Sequence, residues 1–176
     1  MVLQFTGYNE ALEVQPIAAQ NGIEIPNLGR YDNPPTKEEV LAHYAGTETH
    51  EYLKNVYAGK VKTAMKPQYV DKLPQAVKGV VRDLLEKVQE RMTLAEAAEK
   101  LELTEVLDRQ IDKLSGGELQ RLSVAATLMK DADVYFFDEP SSYLDIYQRV
   151  KVARLIKELS LEKQVVVIEH DPDVIK

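Results

Sequence analysis

The sequence predicts an α/β fold: a parallel sheet flanked by helices, with a helical lobe. Three observations carry this. First, Val134-Tyr135-Phe136-Phe137 and Val165-Val166-Val167-Ile168 are apolar without alternation. Strands of that kind are buried on both faces, as in parallel sheets covered by helices. Second, the intervening stretch Leu144–Leu159 puts Val152, Leu155, Ile156 and Leu159 on one helical face. Strand, helix and strand over about 35 residues make a βαβ unit. Third, Val77, Val80, Val81, Leu84, Leu85 and Val88 recur at helical spacing, so an amphipathic helix stands in the middle of the chain.

Each remaining element has a local reason. Met1–Thr6 reads as a short strand and Gly7-Tyr8-Asn9 as a turn, while residues 1–25 as a whole remain unassigned. Asn27–Pro35 is a loop by its Gly, Asn and Pro content. Thr36 with Glu39 has the form of a capping box and opens a helix carrying Val40, Leu41 and Tyr44. Gly46 ends it, and a second helix carries Tyr52, Leu53, Val56 and Tyr57. Lys66-Pro67-Gln68-Tyr69-Val70 reads as extended. Thr93 and Glu96 form another capping box, ahead of Leu94, Ala97, Ala98 and Leu101. A helix starting near Ser115 carries Leu119, Leu122, Ala126 and Met129. The helical lobe thus runs over about 36–130 and the strand-rich core over about 131–176.

Composition excludes several classes. The 22 basic and 29 acidic side chains leave a net charge of −7, which argues against generic nucleic-acid binding by the whole chain. The absence of cysteine removes disulfides, a cysteine nucleophile and a cysteine-ligated iron–sulfur cluster in this chain. No apolar run approaches the ~20 residues of a membrane span, and the start lacks the pattern of a secretory signal. The expectation is a cytoplasmic protein with no membrane role.

The chemistry-bearing residues come in order along the chain. Asp138 follows four apolar residues and emerges at a strand end, where a carboxylate can hold Mg²⁺. Glu139, on the other side of the strand, can orient or deprotonate a water; an Asp138 that only caps a loop beside a solvated Glu139 has the same local sequence. Ser115-Gly116-Gly117-Glu118 pairs an N-cap and its capping-box glutamate with two glycines, which open the first-turn N–H groups to an anion. An ordinary capped helix with close-packing glycines has the same local sequence. His170, after the second strand, is either a core histidine or a donor to a phosphate oxygen. His43 and His50 read as surface residues without partners, and no spacing suggests a transition-metal site.

Taken together and in this order, these residues resemble the ATP-binding-cassette ATPases. Leu114–Arg121 is similar to the signature motif, and Val134–Glu139 to Walker B with its catalytic glutamate. Ser141-Ser142-Tyr143-Leu144-Asp145 is similar to the D-loop, His170 to the switch histidine and Gln68 to the Q-loop glutamine. Pro26–Asp32, Lys66–Asp71 and Phe136–Ile146 resemble the first nucleotide-binding domain of the ABC-E branch, the ribosome-recycling ATPases also called RNase L inhibitor. The fold this implies is a partial P-loop NTPase of ABC type over residues 26–176.

The resemblance implies ATP and Mg²⁺ as cofactors and hydrolysis of ATP to ADP and phosphate. It makes Glu139 and His170 catalytic, and sets Asp138 and Gln68 on Mg²⁺. Gln68, Ser115, Gly116, Gly117, Glu118 and Asp145 would face nucleotide. The implied partners are a second ABC nucleotide-binding domain and the ribosome or a ribosomal subunit.

One family feature does not occur in the 176 residues. The phosphate cradle G-x-x-x-x-G-K-[ST] is absent: of the eight glycines only Gly59 precedes a lysine, and position 54 is Lys54. Nor do the 176 residues contain the family's cysteine-rich cluster domain or its second ATPase domain. Two expectations follow. ATP hydrolysis by this chain alone is weak or absent, and the sheet edge beside Val165–Ile168 is open unless Met1–Thr6 fills it. Two alternatives stay beside the ATPase reading: a non-catalytic interaction module derived from such a domain, and a fragment of a transporter's ATPase subunit.

Overall fold

The structure is a computed structural model and describes residues 2–5 and 35–169. The expected turn at Gly7-Tyr8-Asn9, residues 27–34 of the expected loop and His170 lie outside the described residues. The chain divides into two compact units, one formed by Phe5–Thr63 and the other by Met1–Gln4 with Ala64–Lys176.

In the first unit, helices α1 (Lys37–His43) and α2 (Glu48–Tyr57) pack on each other. The capping box at the start of α1 forms: the Glu39 N–H donates to Thr36 Oγ1 at 3.3 Å, and the Thr36 N–H to Glu39 Oε2 at 2.8 Å. Gly46, at φ 81°, turns the chain between the helices in a region that favours glycine. Val40, Leu53 and Val56 are buried. The reading of His43 and His50 as partnerless is corrected here. His50 Nδ1 lies 2.9 Å from the Leu41 carbonyl, and the His43 ring stands edge-on to Tyr44 at 4.9 Å.

The second unit holds the sheet. Its strands are β1 (Val2–Phe5), β2 (Thr63–Lys66), β3 (Val134–Asp138) and β4 (Gln164–Ile168), in the spatial order β1-β4-β3-β2. Strands β3 and β4 pair in parallel, from Val134 opposite Gln164 to Asp138 opposite Ile168. Strand β1 covers the β4 edge, so that edge of the sheet is not open. Strand β2 stops at Lys66, earlier than the extended segment expected over Lys66–Val70. Pro67 has no N–H for a ladder, and a 3₁₀ turn follows at Val70–Lys72.

Around the sheet run α3 (Leu73–Ala76), α4 (Val81–Lys87), α5 (Leu94–Lys100), α6 (Gly116–Met129) and α7 (Ile146–Ser160). Helix α6 is central and packs against α4, α5 and α7, burying Leu122, Val124, Ala125, Leu128 and Met129. The helix expected from Val77 to Val88 is shorter. Gly79 at φ 111° breaks it, and Val80 is extended and bridges to Gln110. The apolar stripe still points inward, with Val81 and Leu85 fully buried and Val77, Leu84 and Val88 packed on the core. Helix α7 begins two residues later than Leu144, because Asp145 caps it.

Candidate functional site

The tip of β3 gathers the predicted acid groups. Strand β3 is anchored by Phe137 and Tyr135, both fully buried. The Tyr135 hydroxyl donates to the Lys130 carbonyl at 2.7 Å and accepts from the Ala132 N–H at 3.1 Å. Asp138 closes the strand, half-buried. Glu139 stands one residue beyond, at φ 46°, with its N–H donating to the Ile168 carbonyl at 2.8 Å. This turn, rather than strand alternation, aims its carboxylate. Gln68 Nε2 donates to Glu139 Oε1 at 2.7 Å, and Ser142 Oγ donates to Oε2 at 3.0 Å.

The backbone of the tip is held from beneath. Lys66 Nζ donates to the carbonyls of Asp138 at 2.7 Å and Glu139 at 3.1 Å. Gln120 Nε2, from α6, donates to the same Glu139 carbonyl at 2.7 Å. Both side chains are fully buried. Burial pushes the Lys66 ammonium down to about 8, against the upward pull of Asp138, Glu139 and Glu169. Glu169, buried as well, accepts the Ser141 N–H at 3.3 Å.

The signature-like turn is a closed capping box. Ser115 Oγ accepts the Glu118 N–H at 3.3 Å and donates to Glu118 Oε2 at 2.8 Å. The Ser115 N–H donates to the same oxygen at 2.7 Å, and Arg109 Nη1 meets Oε1 at 2.8 Å. The Ser115 backbone N–H, chiefly, holds the Glu118 carboxyl below its ordinary value, with the Ser115 hydroxyl and Arg109 assisting. A carboxyl lowered in the folded state stabilises the fold above its ordinary value of 4.5 and loses that contribution as the pH falls through the lowered value. Relative to Glu118→Gln, the native chain is expected to be more stable by roughly 0.5–1 kcal/mol at neutral pH. Urea unfolding at a series of pH values should show that margin shrinking below pH 4.5.

Both uses of the two glycines remain geometrically available. A Cβ on Gly116 would stand 3.2 Å from the Tyr143 ring, and one on Gly117 would stand 3.1 Å from the Tyr143 carbonyl oxygen. Close packing is therefore one role. Ser115 Oγ takes the Glu118 N–H, so the anion role falls to the Gly116 and Gly117 N–H groups, which have no acceptor within the helix backbone.

The structure thus brings Gln68, Asp138 and Glu139 together, and it sets Ser115, Gly116, Gly117 and Glu118 in one turn against Tyr143. Asp145 N-caps α7, accepting the Gln148 N–H at 2.8 Å. Lys66, Gln120 and Ser142 contribute without having been singled out from sequence. The available signals were a lysine beside the apolar Ala64-Met65 pair and a glutamine on the inward side of α6. Among the described residues no group of three or more His, Cys, Asp or Glu could cage a metal. Mg²⁺ at a nucleotide needs less, one or two protein oxygens beside phosphate and water. Asp138 fits that requirement, and so does Gln68, whose amide nitrogen is already committed to Glu139.

Comparison with known proteins shows the family. The family model for the ABC transporter matches residues 29–142. An ABC transporter ATP-binding protein of Methanocaldococcus jannaschii is 52% identical over 147 residues, covering 84% of this chain and 24% of that protein. The ABC transporter E family member 1 of Arabidopsis thaliana is 46% identical over 151 residues, 85% of this chain and 25% of its own length. The crystal structure of an archaeal ribosome recycling factor with the ribosomal stalk protein aP1 matches at TM-score 0.84 and 45% identity, covering 99% of this chain and 33% of that one. The chain therefore spans about a quarter to a third of the length of these relatives. With the model covering well over half of the chain, the chain belongs to the ATP-binding-cassette family and aligns there with the ABC-E branch.

Proposed function

We propose that residues 26–176 are an incomplete ABC-E-type nucleotide-binding domain that contributes the metal-and-water side and the signature turn of ATP sites. The observation that carries this is the Gln68–Glu139 hydrogen bond of 2.7 Å at the end of β3, beside Asp138. Glu139 would orient the attacking water and accept its proton, with Gln68 and Ser142 fixing the carboxylate's direction. Asp138 and the Gln68 amide oxygen would hold Mg²⁺, which when bound neutralises charge on the transferred phosphoryl group. His170 would donate to the γ-phosphate. Ser115, Gly116, Gly117 and Glu118 would cap a triphosphate seated in a partner ABC domain, and Asp145 would lie along that contact.

The relative crystallised with a ribosomal stalk protein supports a place for this domain on the ribosome and in the cytoplasm. The net charge of −7 adds nothing to that. The second reading, a non-catalytic interaction module, is favoured by one specific observation, the absence of G-x-x-x-x-G-K-[ST] within the 176 residues.

Two measurements separate the readings. ATP hydrolysis by the chain alone is expected to match that of its Glu139→Gln variant; a rate that this variant abolishes would mean the chain holds a complete site. Pull-down with an intact ABC domain is expected to need Mg²⁺-ATP. Capture that is equal with and without nucleotide would leave only the interaction module.

A further inference from the structure

We infer that Lys66 and Gln120 are positioning residues for Glu139, acting as a two-armed grip on its backbone carbonyl. The inference deepens the reading of Glu139 as the water-orienting carboxylate and rests on it. Glu139 sits at φ 46°, a left-handed region that a non-glycine residue enters only under strain. Such a conformation persists only where neighbours over-determine it.

The neighbours here come from three elements. The Ile168 carbonyl on β4 takes the Glu139 N–H at 2.8 Å. Lys66 on β2 and Gln120 on α6 both donate to the Glu139 carbonyl, at 3.1 and 2.7 Å. With the peptide groups on both sides of residue 139 held, the side chain is directed toward Gln68 and Ser142. Lys66 and Gln68 are separated only by Pro67, so one short segment grips both ends of residue 139.

The chemistry of the two arms supports a dedicated role. A fully buried ammonium is expensive, and an apolar side chain of the same length would fill the space more cheaply. What the lysine adds is donors to two adjacent carbonyls, Asp138 and Glu139. Gln120 makes the same point differently. Its Oε1 is buried with no hydrogen-bond partner among the described residues, and the amide nitrogen carries its bond to Glu139. Because Gln120 lies on the helix that Ser115 caps, the grip also ties the signature turn to the tip of β3.

The test is ¹⁵N NMR of the Gln68 side-chain amide in the native chain, Lys66→Met, Gln120→Met and the double variant, with thermal unfolding of each. In the native chain that amide should be displaced from the free-glutamine position and protected from exchange by its bond to Glu139. In each single variant it should move toward the free position and exchange about tenfold faster or more, with the unfolding transition still cooperative. The double variant should complete the loss. A Gln68 signal unchanged in both single variants would overturn the grip, as would a native chain lacking the displaced signal. A variant with a lower melting temperature but a native-like Gln68 signal would show packing alone and equally overturn it. If Lys66→Met does not fold, Gln120→Met decides, since Gln120 is neutral. Failure of the native chain to bind Mg²⁺-ATP or a partner domain would sink the functional reading while leaving this result to stand or fall on the NMR.

Discussion

Phe137→Ala is expected to lower the unfolding free energy by about 3–5 kcal/mol, measured by urea denaturation. Phe137 is fully buried in β3, opposite Val167 of β4, one residue before Asp138. Truncation removes a large ring from a strand packed on both faces, and the parallel ladder leaves little room for collapse. Ile146→Ser is the internal control, because Ile146 is 75% exposed at the start of α7. It should shift stability by no more than about 0.5 kcal/mol. A loss under about 1 kcal/mol for Phe137→Ala would mean that β3 is not buried on both sides, and the placement of Asp138 and Glu139 would lose its support.

Gly117→Val should damage both stability and partner capture, whereas Gly116→Ala should be mild. The difference lies in what each new Cβ meets. At Gly117 it is the Tyr143 backbone oxygen at 3.1 Å, which cannot rotate aside. Tyr143 itself is held at φ 63°, so moving its carbonyl disturbs a turn already in the left-handed region. At Gly116 the obstacle is the Tyr143 ring at 3.2 Å, and that ring is mostly exposed and free to swing. Overpacking at Gly117 should cost about 1–3 kcal/mol and remove nucleotide-dependent capture of an ABC domain. Gly116→Ala should cost less than about 1 kcal/mol and retain capture. Equal behaviour of the two variants would show that the Tyr143 contact does not order the signature turn.

What could be read from the sequence was what local chemistry decides. Strands β3 and β4 were legible because burial on both faces demands unbroken apolar runs, which few other elements show. The caps at Thr36, Thr93 and Ser115 were legible because each box lies within four residues. The break at Gly79 was not, since apolar periodicity runs through it and the bridge of Val80 to Gln110 is a distant pairing. Lys66 escaped for the same reason: its acceptors lie 72 and 73 positions away. Gln120 carries no local signal of its own, since only the fold shows α6 buried on nearly every side. Gln68 was set with Asp138 on Mg²⁺ by family resemblance, whereas its bond to Glu139 and the turn that aims Glu139 are properties of the fold.

Gln68, Asp138 and Glu139 at the end of β3 make up the proposed metal-and-water face. Titrating ¹⁵N-labelled chain with Mn²⁺-ATP tests it, because paramagnetic broadening reports proximity even for weak binding. Selective broadening of the Gln68, Asp138, Glu139 and Ser142 signals, reversed by excess Mg²⁺, is the predicted result. Uniform broadening across the chain, or broadening centred elsewhere, would contradict it.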